Sequence, residues 1–216
     1  MPNTDAKKAI EALCPEVDRE VIQDFFVRMD EDYFTTFSPE EISKHIALSC
    51  RLDTEHRIRV RITGDANAGE FNIVIVGFDY LAEFSVFCGL LSAFGLDIRE
   101  GDIYSFARKA VRASRPLPRK IVDVFRVAPR PGETFDETKQ REFQQELQIQ
   151  AQLLAEGAID QVRERLNRFL IERIERMNEP LSGLLSPIEI TFNNEMSSEW
   201  TVVEAQSDDS FAFLYA

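Results

Sequence analysis

The stretch FNIVIVGFDYLAEFSVFCGLLSAFGLDI, residues 71–98, changes within a few residues from a strand-like apolar run to a helix-like one. The run Phe71–Gly77 is short and continuously apolar, which is typical of a buried strand. We predict a helix from about Leu81 to Phe94, since Gly95 stands where glycine commonly follows a helix. The turn between strand and helix places the first amides of the helix where they can bind an anion.

The neighbouring segments extend this pattern into a sheet. Arginines alternate with Ile58, Val60 and Ile62, which predicts a half-buried strand near a sheet edge, paired with the apolar run as a wide hairpin. Two further strands are predicted at about residues 97–106 and 120–128. Together with the helices described next, these strands predict an α+β fold.

Helical patterns precede the sheet. A first helix is predicted from about Pro15 to Asp32, because apolar residues recur there at helical spacing. A second helix is predicted over residues 39–51, where Ser38 and Glu41 can form a capping box. We interpret the acidic residues between these two helices as a solvated helix end rather than a metal site.

A long charged helix is predicted after the last strand, from about Thr134 to Met177. Thr134 and Glu137 can form another capping box at its start. Gly157 lies near the middle, and glycine inside a helix favours a break or a bend. The apolar stripe of this helix predicts core packing, with an inter-subunit helix contact as the alternative.

Part of the sheet pattern occurs twice, because a strand, a polar turn, a second strand and an Asp-x-x-Ala step recur with a constant offset of 130 residues. The matched pairs are Ile58 and Ile188, Ile62 and Phe192, Asp79 and Asp209, and Ala82 and Ala212. The second copy reaches residue 216 near the predicted start of its helix, so we expect the chain to be the N-terminal piece of a longer protein. The strand at 188–192 is either the fourth strand of the first sheet or the first strand of a second one.

The charge of the chain limits its partners. It has 216 residues and a formal net charge of −13, which disfavours nucleic acids and anionic membranes and leaves small polar ligands or proteins. No signal peptide and no membrane-spanning run are recognisable, which predicts a soluble cytoplasmic protein. Cys14, Cys50 and Cys88 are widely spaced, and we expect free, mostly buried thiols.

The sequence carries no pattern for catalysis, for a metal or for a cofactor. His45 and His56 lack a partner at metal-ligand spacing. His45 also lies among apolar helix positions, so we expect it to be packed there. Motifs for phosphate binding, dinucleotide binding and a serine nucleophile are absent. We therefore expect no catalytic residue, no metal and no cofactor in this chain.

The two Asp-x-x-Ala turns are the candidate binding sites. Asp79 and Asp209 stand where a side-chain oxygen can cap the helices that begin near Leu81 and Phe211. The same turns can hold an amino acid, with its carboxylate on the helix amides and its ammonium beside the aspartate. Both interpretations fit the residues.

Several segments resemble the ACT family of small ligand-sensing domains. They are IVIVGFD (73–79), the helix that follows it, REGDIYSF (99–106), IVDVFRV (121–127) and FNNEMSSEWTVVEA (192–205). The resemblance is closest to the paired ACT domains of PII-protein uridylyltransferases, and YFTTFSPEEISKHIALS (33–49) is similar to the segment before that pair. It implies a ferredoxin-like βαββαβ domain and amino-acid sensing, with glutamine as the first candidate.

The resemblance also implies which residues bind the ligand. They are Asp79, Tyr80, Leu81 and Ala82 in the first copy and Asp209, Ser210, Phe211 and Ala212 in the second. The family has a D-R-P-G-L-L step at these turns, and alanine stands here in place of its glycine. Glycine lets a ligand approach the backbone closely, so the alanine methyl narrows this approach.

On this basis the chain is divided into four segments: an N-terminal helical segment (1–53), a first ACT-like domain (54–130), a long helix that completes or links it (131–182) and the start of a second ACT-like domain (183–216). The expected function is allosteric amino-acid sensing in nitrogen metabolism, N-terminal to a nucleotidyltransferase such as a uridylyl- or adenylyltransferase. The alternative is a ligand-free module for homodimerisation through the ACT sheets or for docking a protein partner. A basic loop would serve that docking: Arg108, Lys109, Arg112, Arg115, Arg119 and Lys120.

Overall fold

The computed structural model describes residues 4–65, 69–107, 119–176, 189–195 and 201–206. Helices and strands both contribute, which confirms the α+β class. The helices are α1 (Thr4–Leu13), α2 (Arg19–Arg28), α3 (Glu31–Thr36), α4 (Pro39–Ser49), α5 (Glu83–Ala93), α6 (Glu137–Ala155) and α7 (Ile159–Arg176). The strands are β1 (Ile58–Asp65), β2 (Glu70–Phe78), β3 (Leu96–Ser105), β4 (Lys120–Pro129), β5 (Glu189–Asn193) and β6 (Val202–Gln206).

Strands β1 to β4 form one antiparallel sheet in the spatial order β1-β2-β4-β3. The predicted wide hairpin is confirmed, because β1 pairs with β2 from Ile58 opposite Gly77 to Asp65 opposite Glu70. Strand β1 lies at a sheet edge, as its alternation of arginine and apolar residues indicates. Strands β2 and β4 lie in the centre.

The chain order of these elements differs from the predicted βαββαβ. Both β1 and β2 precede α5, and the two long helices α6 and α7 follow β4 without a further strand in this sheet. The ferredoxin-like order is therefore not confirmed. The crossover from β2 through α5 to β3, with β4 inserted between β2 and β3, is nevertheless present.

Helices cover both faces of the sheet. One face packs against α5, α6 and α7, and its core includes Ile73, Ile75 and Phe125. The opposite face packs against the N-terminal helices α1 to α4, and its core includes Val74 and Val122. Because alternate residues of a strand point to opposite faces, apolar residues occupy both sets of positions in β2 and β4.

Local signals explain most helix boundaries. Helix α4 begins with the predicted capping box, since the Ser38 side chain accepts from the Glu41 amide and the Glu41 carboxylate accepts from the Ser38 amide. The predicted helix 15–32 is divided into α2 and α3, with Asp30 between them. The box predicted at Thr134 is wrong, because Asp136 caps α6 by accepting from two amides. Gly157, at φ 73°, ends the long helix as expected.

Strands β5 and β6 form a separate two-stranded sheet. The strand predicted at 188–192 therefore pairs with β6 and not with the first sheet. Glu189 lies opposite Gln206, and 130 residues earlier Arg59 lies opposite Val76. The other four pairs of this hairpin match pairs of β1 and β2 with the same offset, so the repeat found in the sequence extends to the register.

No helix within the described ranges combines the length and the apolar character that crossing a bilayer requires. Helix α5 is the most apolar helix of the described residues, and most of its apolar residues are buried between the sheet and α7. Its composition therefore reflects core packing.

Candidate functional site: the strand-to-helix turn and its buried carboxyl groups

The predicted turn lies between β2, which ends at Phe78, and α5, which begins at Glu83. Its last residue, Ala82, adopts φ 67° and ψ 10°, and no other non-glycine residue of the described ranges has a positive φ. This left-handed conformation costs an L-residue about 1 to 2 kcal/mol, because Cβ comes too close to the next carbonyl. The backbone at Ala82 thus has a conformation that glycine adopts without this cost.

Asp79 does not cap α5, so that interpretation is wrong for the first copy. The helix begins two residues later than predicted and has no side-chain cap. The Asp79 amide donates to the Arg119 carbonyl at 2.9 Å, and its carboxylate forms an ion pair with the Arg119 Nε at 2.5 Å, although that N–H is not aligned for a hydrogen bond. Asp79 therefore attaches the turn to the residue that precedes β4.

The side chain that forms a hydrogen bond with the backbone at the start of α5 is not that of Asp79 but that of Glu83. Its carboxylate accepts a hydrogen bond from the Tyr80 amide at 2.8 Å, three residues earlier. Burial raises the pKa of Glu83 to about 8, and the negative charges of Asp123 and Asp79 raise it further. The hydrogen bond from the Tyr80 amide acts in the opposite direction and lowers this pKa. The turn thus closes on a carboxyl group that is largely protonated at neutral pH.

The remaining two residues of the turn face different surroundings. Tyr80 is half-buried against the core below α5. Leu81 is 78 % exposed, and Phe84 in the first turn of α5 is 39 % exposed and stacks on Phe125. An apolar rim therefore borders the turn on its solvent side.

Asp123 is the functional candidate that sequence reasoning missed. It lies in the middle of β4, opposite Ile75 and Ile103, and is 1 % exposed. Its Oδ1 has no hydrogen-bond partner among the described residues. Burial raises the pKa of Asp123 to about 8, and the charge of Asp79 raises it further. An aspartate with two apolar residues on each side, in IVDVF (121–125), was the available signal.

The carboxyl groups of Asp79, Glu83 and Asp123 form one electrostatic cluster, because the charge of Asp79 raises the pKa of both Glu83 and Asp123, and the charge of Asp123 also raises that of Glu83. Cys88 lies beside it: burial raises the pKa of its thiol to about 12, and the charge of Asp123 adds to the rise. Arg119 is the counter-ion of Asp79. The cluster therefore holds more acidic groups than it has cations to neutralise them.

This arrangement suits the binding of a positively charged group rather than catalysis. The thiol of Cys88 stays protonated, so it is not an activated nucleophile. Among the described residues, no group of three or more His, Cys, Asp or Glu side chains is arranged to hold a metal ion. A ligand ammonium beside the cluster would gain up to three acceptors for its hydrogen bonds.

Some predicted residues lie elsewhere. The second-copy residues Asp209, Ser210, Phe211 and Ala212 lie outside the described residues, as do Arg108, Lys109, Arg112 and Arg115 of the basic loop. His45 is buried in α4 on the opposite face of the sheet, as expected, and His56 is exposed beside Asp53. The structure thus brings the first turn together with Asp123 and Arg119.

No protein-family model matches the chain, and no curated protein is significantly similar to it.

Proposed function

We propose that the first repeat is an ACT-like regulatory module that senses a small amino acid at the turn Asp79–Ala82. The observation that carries the proposal is the left-handed Ala82 at the position where the family has glycine. Backbone strain of this kind persists only where the surroundings maintain it, and it concentrates at binding and catalytic sites. The left-handed backbone at Ala82 is one that glycine adopts without strain, which supports a turn of the kind that the family's glycine-containing step forms.

The buried carboxyl groups support an amino acid as the ligand. Its ammonium would lie beside Asp79, Glu83 and Asp123, where the uncommitted Oδ1 of Asp123 gains a donor. Its carboxylate would lie at the amides of the first turn of α5, which the helix dipole favours. Tyr80 and Leu81 would border the ligand on its two sides.

The sheet order supports an ACT-like unit with an altered connection. In a βαββαβ domain the last strand lies beside the first. Here β1 takes that place beside β2, but it comes from the N-terminal side of the chain. The helix that would connect to a last strand is represented by α6 and α7, which pack on the same face as α5.

The regulated enzyme follows from the sequence resemblance alone. We place the module in nitrogen metabolism, as the allosteric region of a uridylyl- or adenylyltransferase, with glutamine as the first ligand to test. Binding would act by displacing the turn together with residue 119 directly before β4, because Asp79 and Arg119 join them through both backbone and side chain.

Calorimetry with glutamine and the other amino acids tests the proposal. We expect saturable binding of one of them at millimolar concentration or below, and its loss in Asp123→Asn, which removes the ionisable carboxyl group but keeps the shape. Asp160→Asn is the matched control, because Asp160 is an exposed aspartate in the first turn of α7 and does not belong to the strand-to-helix turn. No heat and no thermal shift with any amino acid would refute the sensing function.

Proton release gives a second readout. Glu83 and Asp123 have pKa values of about 8, so both are largely protonated at pH 7. A bound ammonium favours their ionised forms and lowers these pKa values. Binding heats should therefore differ between buffers of different ionisation enthalpy, by an amount that corresponds to proton release. Identical heats in all buffers would exclude these two carboxyls from the site.

A ligand-free docking or dimerisation module is the second candidate. The exposed Leu81 and Phe84 favour it, because two large apolar side chains at one turn are suited to a protein contact. Sedimentation of the protein and of Leu81→Ser tests this function. A concentration-dependent dimer that the substitution weakens supports it, and a monomer at all concentrations excludes self-association through this turn.

A further inference from the structure

A second concave site lies on the sheet face opposite the turn. It is a cleft of about 310 Å³ between the end of α3, one side of α4 and the outer half of the sheet. This volume is at the lower end of the range for small-molecule sites. The N-terminal helices pack on the same face, and the cleft lies beside their core.

Cross-strand pairing defines the floor of the cleft. Arg61, Val74, Val124 and Asp102 lie opposite one another on β1, β2, β4 and β3, and together they form one row across the sheet. The two valines are 7 % and 8 % exposed and give the row an apolar centre. A cation therefore lies at one end of an apolar strip and an anion at the other, three strand spacings or roughly 14 Å apart between Cα atoms.

Two cations at the β1 end have no ion pair. Lys44 of α4 and Arg61 of β1 line the cleft, and neither forms a hydrogen bond or an ion pair with any residue that the structure describes. Burial lowers the pKa of His45 to about 4, and the charges of Lys44 and Arg61 also lower it, which places both cations near that ring. His45 itself is bound to the Tyr33 hydroxyl at 2.8 Å.

The nearby anions have other partners. The Glu41 carboxylate is held by the amide and the hydroxyl of Ser38, although it also interacts with Lys44 at longer range. Glu100 is paired with Arg126. Asp102 lies at the opposite end of the row. Lys44 and Arg61 are thus a pair of cations that lack a direct counter-ion in a chain of net charge −13.

We propose that this cleft binds a small organic carboxylate, with its carboxylate group between Lys44 and Arg61 and its carbon chain on Val74 and Val124. Charge-assisted hydrogen bonds from an ammonium and a guanidinium are among the stronger ones available to a carboxylate. The apolar strip distinguishes such a ligand from an inorganic anion, which has no carbon chain to bury. The site is separate from the turn and does not depend on the function proposed for it.

Calorimetry with glutarate, uncharged glutaramide and inorganic phosphate tests this inference on the whole chain. We expect glutarate to bind, and Lys44→Gln and Arg61→Gln each to weaken it by roughly tenfold, the factor that corresponds to one lost charge-assisted contact. Both side chains are exposed, so the variants should fold. Arg168→Gln is the matched control, because Arg168 is an exposed arginine on α7, on the other side of the sheet.

Four outcomes would overturn the inference: no saturable binding of glutarate up to about 10 mM, binding that neither variant weakens, equal binding of glutaramide, or equally tight binding of phosphate. The Asp123→Asn variant separates the two proposals. It should abolish amino-acid binding at the turn and leave glutarate binding at the cleft unchanged. The experiment can therefore refute the proposal for one site without refuting the proposal for the other.

Discussion

The two hairpins of the repeat share their register and differ in their surroundings. In the first, Ile73 and Ile75 of β2 are fully buried under α5 and α6. In the second, Ile190, Phe192 and Val203 form one apolar face and are 54 %, 68 % and 55 % exposed. Register therefore depends on the alternation of residues and on the turn, whereas burial depends on the elements that follow. An isolated hairpin of this size is marginally stable in water.

The largest expected difference between the hairpins is in the cost of removing an apolar side chain. Ile73→Ala should lower the free energy of unfolding by about 2 to 5 kcal/mol, because it leaves a cavity under the helices. Val203→Ala, at the matched position, should change it by less than about 0.5 kcal/mol. Urea unfolding of both variants measures this. Equal costs would mean that the second face is covered in solution.

A second difference concerns pH, because the first hairpin is joined to a strand with a buried carboxyl group, whereas the second hairpin pairs with no third strand within the described residues. The folded-state pKa of Asp123, about 8, lies above its ordinary value of 3.8. The folded state therefore binds more protons than the unfolded state between those values, and its stability falls as the pH rises through them.

Asp123→Asn should remove this loss. Between pH 5 and pH 8, the unfolding free energy of the variant should rise by on the order of 2 kcal/mol relative to that of the wild type. The measurement is the difference in unfolding free energy between the two proteins at each pH, which cancels the contribution of groups such as His45. A difference that is constant with pH would contradict a protonated Asp123. Val203→Ala should show the wild-type pH dependence.

The smallest expected effect is at the turn. Ala82→Gly should raise the free energy of unfolding by about 0.5 to 1 kcal/mol, since relief of the left-handed strain exceeds the entropy that glycine adds to the unfolded chain. Thermal unfolding measures it, and a loss of stability would contradict the strain. Ala212→Gly is the matched substitution. A similar gain in the free energy of unfolding there would indicate that the structural repeat includes the second turn as well as the hairpins. No gain would indicate that the repeat is limited to the hairpins.

The sequence predicted the features that depend on neighbouring residues. The capping box at Ser38, the edge position of β1 and the break at Gly157 each follow from a signal within a few residues. The four strands of the first sheet were predicted because their composition and bounding turns are local as well. The repeat was also predicted, since it is a comparison of the chain with itself.

Features that depend on distant residues were not predicted. Asp79 was interpreted as a helix cap because nothing near it indicates Arg119, its partner 40 residues along the chain. Asp123 was included in an apolar strand without regard to its own charge, since its role depends on a helix that packs over it. The hairpin of β1 and β2 was predicted, but the ferredoxin-like order was not confirmed, because periodicity does not specify which strand takes the edge beside β2.

The double connection between Asp79 and Arg119 has a mechanical consequence. One hydrogen bond joins the two backbones, and one ion pair joins the two side chains, so the turn and residue 119 must move together. Arg119 follows directly on the segment that carries Arg108, Lys109, Arg112 and Arg115. A displacement of the turn would therefore be transmitted to residue 119, the position that follows directly on the most basic segment of an acidic chain.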